Sequence, residues 1–505
     1  MNQTEKIGRP PHPGRGGKGR FQPKGRAPDP QAEAEVAALL GTRPRNRDLL
    51  VEYLHVIQDE YRQISAAHLA ALAVELRLSL AEVYEVATFY AHFDVVKEGD
   101  APVPALTVRV CDGIACQLAG AEHLRAEIEA QSDASVRVVH APCIGQCDRA
   151  PAVVVGQNVL PHAEARDVSC AVAQGETAAQ EICRVDYAAY RASGGYRLFE
   201  ALLGGEAEPE DLLEAIDLSG LKGLGGAGFP AARKWRAVRD MPTTALMIVN
   251  ADEGEPGTFK DRVHLENDPH RCLEGALIGA TIVGADEIFF YLRDEYAGLR
   301  ATLTREIAKL PAHWPRIHLR RGAGAYICGE ESALIESLEG KRGLPRQRPP
   351  LPYQAGLFGR PTLTNNVETL FWIRDIVEKG PDWWCAQGRH GSTGPRSYSV
   401  SGRVRFPGMK CAPAGTTLRE LIDEHCGGMA EGHELRAYLP GGASGGILPA
   451  RLADQPLDFG TLEEHGCFIG SAAIVVLSQA DDLKHVAHNL MAFFAAESCG
   501  HYTPC

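Results

Sequence analysis

Two pairs of closely spaced cysteines restrict this chain more than any other feature of its sequence. Cys111 and Cys116 follow the alternating stretch LTVRV, and Cys143 and Cys147 follow the apolar stretch VRVVHA. Both stretches are typical of β-strands, so each pair lies where a strand gives way to a loop. Two such loops can converge on one site, and thiolates are soft donors that suit iron and zinc. The pairs therefore predict a metal site, with four unrelated buried thiols as the alternative.

The spacing within the pairs distinguishes between the two metals. The pattern is C-x4-C followed by C-x3-C. Structural zinc sites usually use C-x2-C knuckles. Iron–sulfur clusters accept wider spacings, because the ligands reach around a cluster rather than a single ion. The spacing therefore favours an iron–sulfur cluster.

Composition excludes several classes of protein. The chain has 505 residues, is 45% hydrophobic and 23% charged, and carries a formal net charge of −13, which argues for a multidomain globular protein and against a nucleic-acid-binding one. No apolar run approaches the roughly 18 residues needed to cross a bilayer, and the N-terminus lacks the apolar segment of a secretory signal. We therefore expect a cytoplasmic protein without membrane contact, whose 14 cysteines are mostly reduced and in part ligands.

The hydrophobic pattern changes along the chain. Residues 1–35 begin with a stretch rich in Gly, Pro and Arg, and we predict that they form a disordered basic tail. Residues 46–93 have helical spacing, with Ser79 and Glu82 as a capping box. From residue 106 strands and helices alternate, which predicts an α/β fold. An apolar helix is predicted near the C-terminus, ending close to Gly500.

Two further segments, one rich in glycine and one acidic, bear on ligand binding. The segment SGLKGLGGAGFPAARKWR (219–236) lets the backbone approach a phosphate or a flat ring closely, and Lys234 adds a cation. The segment LMIVNADEGEPGTFKDR (246–262) is a buried strand that ends in Asn250, Asp252, Glu253 and Glu255. Ligands bind at the carboxyl ends of strands in α/β folds, so we predict a ligand site here. An acidic metal site is the alternative.

The cysteine motifs VCDGIACQLAG and APCIGQCDRAP, together with the preceding helical region, resemble the 24 kDa-type [2Fe–2S] subunit of the NADH dehydrogenase modules of respiratory complex I. The resemblance covers residues 40 to 180. It implies a thioredoxin-like domain in which the four cysteines, Cys111, Cys116, Cys143 and Cys147, ligate a [2Fe–2S] cluster.

The glycine-rich and acidic segments, with GAGAYICGEESALIESLEGKRGLPRQRPP and GLFGRPTLTNNVETL, resemble the 51 kDa-type FMN- and NADH-binding subunit of the same modules across residues 190 to 505. The resemblance implies a Rossmann-like domain in which Glu255 lies beside flavin and nicotinamide as the catalytic residue. Phe229 and Phe358 match the aromatics that enclose the adenine of NADH. The implied FMN contacts are Gly223, Gly225, Gly226, Lys234, Asn250, Asp252, Glu253, Tyr326, Gly329, Glu330, Glu331, Asn365 and Asn366.

The resemblance implies an α/β multidomain fold with five parts. These are the basic tail (1–35), a helical bundle with the thioredoxin-like [2Fe–2S] domain (36–185), the FMN/NADH domain (186–397), a β-grasp insertion (398–478) and a truncated helical iron–sulfur domain (479–505).

The chain departs from the family pattern near its C-terminus. The family motif S-C-G-x-C-T-P-C ligates a [4Fe–4S] cluster with a later cysteine, but this chain reads SCGHYTPC. Cys499 and Cys505 match, whereas Tyr502 stands in place of the central cysteine. Two thiolates do not make a four-thiolate site. The sequence therefore leaves the [4Fe–4S] cluster unsupported.

A second departure bears on the partner. Leu224 stands where the family loop often has arginine, and loops with leucine there look more like the β subunit of NAD-dependent molybdenum or tungsten formate dehydrogenases. The resemblance thus predicts an NAD-reducing diaphorase subunit with FMN, NAD and a [2Fe–2S] cluster, paired with a catalytic formate dehydrogenase α subunit. The alternatives are a diaphorase for an NAD-reducing hydrogenase, a complex I module, and a non-catalytic electron-carrier or assembly module.

Overall fold

The computed structural model describes residues 28–501, which form a helical bundle, two α/β domains, a mixed-sheet domain and a C-terminal helix. Most of the predicted disordered tail (1–35) lies outside the described residues. Residues 30–35 are helical, so the prediction of disorder was wrong for them. Helix α1 (Pro30–Leu40) begins there, because the Asp29 carboxylate accepts hydrogen bonds from the first-turn amides. Val36 and Leu40 then bury against the bundle.

The bundle confirms the predicted helical region. Its helices are α1, α2 (Leu50–Tyr61), α3 (Ala66–Leu76) and α4 (Leu80–Phe89). The Ser79–Glu82 capping box is present at the start of α4. Two short parallel strands, β1 (Ile64–Ser65) and β2 (Val95–Val96), close the bundle.

The cysteine domain (residues 106–174) follows the bundle. Its sheet has the order β4-β3-β5-β6, with β3 and β4 parallel and the remaining pairs antiparallel. The elements are β3 (Leu106–Cys111), α5 (Ile114–Leu118), α6 (Ala121–Gln131), β4 (Val136–Ala141), β5 (Val153–Val155), β6 (Asn158–Leu160) and α7 (Ala165–Gln174). Because β3 and β4 are parallel neighbours, both cysteine loops leave the same edge of the sheet.

The parallel-sheet domain (residues 187–385) contains a four-stranded sheet of order β10-β7-β8-β9, all parallel. Its strands are β7 (Ala245–Ala251), β8 (Ala285–Leu292), β9 (Arg316–Arg321) and β10 (Thr362–Asn366). Its helices are α8 (Tyr187–Ala192), α9 (Arg197–Leu203), α10 (Pro209–Leu218), α11 (Ala231–Arg239), α12 (Lys260–Asn267), α13 (Pro269–Val283), α14 (Ala297–Ile307), α15 (Glu331–Leu338), α16 (Pro352–Ala355), α17 (Val367–Phe371), α18 (Ile373–Lys379) and α19 (Pro381–Cys385).

The order of these strands determines where a ligand can bind. Strand β7 comes first in the chain but lies inside the sheet, between β10 and β8. From β7 the strands β8 and β9 are added on one side, and β10 is then added on the other side. The strand order therefore reverses between β7 and β10. Open α/β sheets bind ligands beyond the carboxyl ends of strands at such a switch point. The register pairs Asn250 with Asn366 at this edge. The sheet therefore places two predicted site residues side by side.

The mixed-sheet domain (residues 395–478) and the C-terminal helix complete the chain. The sheet has the order β12-β11-β15-β13-β14. Helix α21 (Leu483–Ala496) buries Val486 and Leu490 and ends four residues before Gly500, near which the sequence predicts its end. The elements are β11 (Pro395–Gly402), β12 (Gly408–Pro413), α20 (Leu418–Glu420), β13 (Leu435–Leu439), β14 (Leu448–Pro449), β15 (Ala473–Ser478) and α21 (Leu483–Ala496).

The regions share apolar cores. Bundle residues such as Leu54 and Val86 belong to one buried cluster with Ile248 and Phe289 of the parallel sheet. The architecture confirms the predicted α/β multidomain class. Among the described helices, none combines the length and hydrophobicity that a bilayer span requires.

Candidate active site

The two cysteine loops converge as the sequence predicts. Cys111 ends β3 and Cys116 lies in α5, and the loop between them packs on the second pair. Gly113 permits this contact, because a Cβ at that position would lie 3.0 Å from the Cβ of Cys143. All four cysteines are buried, none more than 5% exposed. The fold therefore gathers the predicted ligands in a site closed to solvent.

The sulfurs form an extended chain rather than a compact cage. Cys143 Sγ lies 3.3 Å from Cys147 Sγ, and Cys111 interacts with both Cys116 and Cys143. Among the described residues, the only three His, Cys, Asp or Glu side chains with ligand atoms all within 4.8 Å of one another are His55, His92 and Asp294. No three of the thiols are therefore that compact.

The extended arrangement bears on which metal centre fits. A zinc ion with Zn–S bonds of about 2.3 Å would hold all four sulfurs within about 4 Å of one another. Two sulfur pairs arranged in a row fit the two irons of a [2Fe–2S] cluster better than they fit a single zinc ion. Hydrogen bonds from Cys111 and Cys147 hold the pKa of the Cys143 thiol well below its usual value, and contacts among the thiols raise the pKa values of Cys111 and Cys147.

The glycine-rich loop packs on the carboxyl end of β10. A Cβ on Gly225 would lie 2.9 Å from the Cβ of Asn366, so only glycine fits there without displacement. Gly226 has a φ of 134°, which side chains rarely adopt. Gly223 donates its N–H to the Phe229 carbonyl at 2.8 Å and closes the loop. The loop thus forms one wall beside the paired asparagines.

Lys234, the cation predicted beside this loop, is held by residues of α15 and β10. Lys234 Nζ donates to Glu331 Oε1 at 2.9 Å and to the Thr364 carbonyl at 2.8 Å. Neither Lys234 nor Glu331 is fully buried, since their side chains are 26% and 22% exposed. This positive charge is therefore accessible to an anionic ligand.

The acidic segment after β7 contains carboxylates in different environments. Asp252 Oδ2 is buried without a hydrogen-bond partner, and burial raises the pKa of this carboxyl to about 8. Glu253 instead accepts hydrogen bonds from the Asp261 and Arg262 amides at the start of α12 and from Tyr296. Glu253 thus binds the start of α12 and Tyr296, whereas Oδ2 of Asp252 is available to a ligand.

Glu255 belongs to a separate hydrogen-bonded group. Its carboxylate accepts from the Tyr326 hydroxyl at 2.5 Å and from the Ser444 amide at 2.7 Å. Burial raises its pKa, and these two hydrogen bonds oppose the rise. The carboxylate is therefore fixed between the parallel-sheet and mixed-sheet domains.

The remaining predicted residues line the same edge of the sheet. Asn250 Nδ2 donates to the Gly329 carbonyl at 2.9 Å, and Glu330 caps α15 by accepting from the Ser332 and Ala333 amides. Asn365 Oδ1 accepts from the Trp235 indole N–H at 2.9 Å. These groups are ordered by the protein itself, and their contacts to a cofactor stay predictions.

These features fit FMN. Asp252 Oδ2 and Thr364 Oγ1 are buried without hydrogen-bond partners at the edge where Gly225 admits no side chain. Unpaired buried polar atoms are costly unless a ligand satisfies them. Lys234 supplies positive charge for a phosphate-bearing cofactor.

The two predicted adenine-binding aromatics are surface residues. Phe229 and Phe358 are each 47% exposed. Phe358 packs edge-on against Phe289, and an open depression of about 520 Å³ beside it is lined by Arg47, Lys341 and Arg346 among others. Among the described residues no ring contact joins the two phenylalanines. The Arg233 guanidinium lies over the Phe229 ring, 5.7 Å from its centre, and stacking of either phenylalanine on a base stays a prediction.

The predicted C-terminal ligands are only partly described. Cys499 follows α21 and is partly buried, whereas Cys505 lies outside the described residues. Tyr502 also lies outside the described residues.

The sequence did not reveal the residues that join the thiol site to the acidic segment. Arg262 Nε donates to the Gly145 carbonyl at 2.9 Å and its Nη2 pairs with Asp148 at 2.7 Å. Arg293 contacts both the Cys143 carbonyl and the Glu253 carbonyl. A partly open cavity of about 350 Å³ between the two sites is lined by Cys143, Asp252, Tyr326 and Glu497, among others. No motif marks these arginines, because their partners come from segments far away in sequence.

Models of three protein families match the chain. The Nuo51 FMN-binding domain matches residues 216–375, the thioredoxin-like [2Fe-2S] ferredoxin matches residues 36–175, and the SLBB domain matches residues 397–448. The fold and the two sites thus define a flavin- and iron–sulfur-containing redox module.

Curated relatives and solved structures agree with this class. An NADH-quinone oxidoreductase subunit of Rhizobium meliloti (strain 1021) is 42% identical over 329 residues, which are 63% of this chain and 78% of the relative. The corresponding subunit of Aquifex aeolicus (strain VF5) is 41% identical over 330 residues, 63% of this chain and 75% of the relative. A crystal structure of NAD+-reducing [NiFe]-hydrogenase in the H2-reduced state aligns with a TM-score of 0.78 at 32% identity, covering 92% of this chain and 82% of that chain.

The chain belongs to the family of these NADH-quinone oxidoreductase subunits, with a thioredoxin-like [2Fe–2S] domain fused ahead of the FMN domain. This confirms the predicted fused NADH dehydrogenase module and its cofactors FMN, NAD and a [2Fe–2S] cluster. It is an oxidoreductase module of the diaphorase type.

Proposed function

We propose that the chain is the NAD-reducing subunit of a formate dehydrogenase, and that a catalytic α subunit supplies its electrons. The balanced overall reaction is formate plus NAD+ to CO2 plus NADH, with two electrons passing through this chain. The observation that carries the diaphorase role is the junction of the two sites in one chain, where Arg293 touches the loops of both.

Leu224 supports the choice of formate dehydrogenase. Its side chain is 6% exposed and belongs to the core of the parallel-sheet domain, and its amide donates to Thr369 Oγ1 at 2.8 Å. The loop thus presents no arginine at this position, which is the departure that favours the formate dehydrogenase β subunit.

A hydrogenase diaphorase is the second candidate. The solved NAD+-reducing [NiFe]-hydrogenase chain aligns with 92% of this chain, so it includes the same fusion of domains. Purification of the native complex distinguishes the two proposals. We expect formate-dependent NAD+ reduction by the complex, and H2-dependent reduction without formate activity would contradict the first proposal.

The proposed roles of the site residues follow from their surroundings. FMN, when bound, couples the two-electron hydride chemistry of nicotinamide to single-electron transfers. Lys234 offers charge to its phosphate, and the glycine-rich loop allows its close approach. Phe229 and Phe358 are proposed to stack on the adenine of NAD(H). Cys111, Cys116, Cys143 and Cys147 are proposed to hold the [2Fe–2S] cluster.

Glu255 is proposed to act electrostatically. A nicotinamide ring gains positive charge as it loses hydride, and a fixed carboxylate beside it stabilises that charge. We expect Glu255→Gln to lower the NADH turnover number at least about tenfold, equivalent to about 1.4 kcal/mol, while the FMN content is unchanged. Steady-state kinetics with an artificial electron acceptor measures this effect.

The matched control is Glu424→Gln. Glu424 lies in the mixed-sheet domain and pairs with Arg389, so its replacement should leave turnover unchanged. Full turnover in Glu255→Gln would show that the charge at this position is not needed.

A further inference from the structure

Arg293 occupies the boundary between the thiol site and the acidic segment. It directly follows β8, and its side chain is 5% exposed. One guanidinium nitrogen, Nη2, donates to the Cys143 carbonyl at 2.6 Å, and Nη1 donates to the Glu253 carbonyl. The guanidinium also lies over the Tyr296 ring, 5.1 Å from its centre. A single buried cation thus holds the backbones of both sites.

The contact on the thiol side is made at the middle of the sulfur chain. Cys143 interacts with both Cys111 and Cys147, so it belongs to the closest sulfur contacts of the site. The Cys143 carbonyl accepts the hydrogen bond from Arg293 Nη2 at 2.6 Å, so the guanidinium lies beside this ligand residue. A buried cation of the parallel-sheet domain is therefore held against the loop that carries Cys143.

The charge of Arg293 is only partly offset by its neighbour. Glu295 pairs with the guanidinium at 3.0 Å, but its side chain is 23% exposed whereas that of Arg293 is 5% exposed. Water screens the carboxylate more than the guanidinium. The cation also lies against the cysteine loop, so its field should dominate at the cluster.

The field has a defined effect on a [2Fe–2S] cluster. The cluster gains one electron and one negative charge on reduction, so a nearby cation favours its reduced form. Potentials of such clusters depend on net charge, hydrogen bonds to sulfur and burial. Two of these factors, a nearby positive charge and burial, are present at Cys143.

We propose that Arg293 is a positioning residue that raises the reduction potential of the [2Fe–2S] cluster through its charge, while holding the Cys143 loop against the acidic segment. The inference rests on the four-cysteine ligand set proposed above. It does not depend on the identity of the partner subunit.

The test is a redox titration of the full chain with chemical mediators, followed by EPR of the cluster. In Arg293→Met we expect the ratio of reduced to oxidised cluster at a fixed potential to fall about tenfold, a shift of about 59 mV for a one-electron centre. Arg293→Lys keeps the charge and should change that ratio less than about threefold.

The double variant separates charge from structure. Arg293→Met/Glu295→Gln removes both members of the pair, and we expect its potential to return at least half of the way to wild type. A potential as low as that of Arg293→Met would mean that a displaced loop, rather than charge, causes the shift, and would overturn the proposal. An unchanged potential in Arg293→Met would also overturn it.

Two further variants keep the test decisive if Arg293→Met loses its cluster. Glu295→Gln retains the arginine and should raise the potential; no change would contradict the proposal. Arg396→Met is the matched control, because Arg396 is also buried, pairs with Asp458 at 2.7 Å and stacks on Phe459. Its potential should equal that of wild type.

The titration is independent of the formate dehydrogenase proposal, because mediators rather than NADH or formate reduce the cluster. A wild-type chain that shows no [2Fe–2S] signal after reconstitution would overturn the ligand set and this inference with it.

Discussion

Replacing Cys143 with alanine is expected to lower the [2Fe–2S] EPR signal at least about tenfold, because three thiolates cannot complete the coordination of two irons. Cys143 interacts with two other thiols, so its loss breaks the sulfur chain at its middle. FMN content should be unchanged, because the glycine-rich loop and Lys234 do not involve this residue. Iron, acid-labile sulfide and flavin analyses of the purified variant measure both effects.

Cys426→Ala is the matched control for this experiment. Cys426 is as fully buried as Cys143 but belongs to the core of the mixed-sheet domain, away from the thiol chain. Its replacement should cost stability while preserving the EPR signal. An intact signal in Cys143→Ala would mean that another residue serves as the fourth ligand.

Replacing Gly225 with alanine is expected to lower FMN affinity at least about tenfold, with an overpacking cost of about 1–3 kcal/mol. The new Cβ would lie 2.9 Å from the Cβ of Asn366. Asn366 cannot retreat easily, because it donates to Asp261 at 2.6 Å and caps α17. The loop must therefore move, and it forms a wall of the flavin site. Flavin fluorescence titration of the apoprotein measures the affinity.

Gly223→Ala separates a clash within the protein from a clash with the cofactor. A Cβ on Gly223 would meet the Phe229 carbonyl at 3.6 Å, an ordinary contact. The apoprotein should therefore be destabilised by Gly225→Ala and not by Gly223→Ala, as measured by thermal unfolding. Equal flavin affinity in Gly225→Ala and wild type would contradict the assignment of this loop.

The sequence predicted the elements whose chemistry is local. The cysteine pairs, the strand that carries Asn250 next to its end and the Ser79–Glu82 capping box depend on spacing over a few residues, and all lie where the sequence places them. The glycine-rich segment was recognisable for the same reason. Its requirement for glycine arises from contact with Asn366, which only the structure reveals.

The links between the sites could not be predicted in this way. Arg293 and Cys143 are 150 positions apart, and neither lies in a pattern that names the other. The split of the acidic segment into a structural Glu253 and an unpartnered Asp252 also depends on the position of α12 and Tyr296. Helix α1 was missed because its apolar residues follow a tail rich in Gly, Pro and Arg.

The most direct test of the central claim is an anaerobic NADH titration of the purified full chain, followed by low-temperature EPR. We expect NADH to bleach the flavin absorbance and to produce a [2Fe–2S] signal, since both sites lie in this chain and meet at Arg293. Bound flavin and cluster that do not respond to NADH would contradict the diaphorase account and favour a non-catalytic electron-carrier or assembly module.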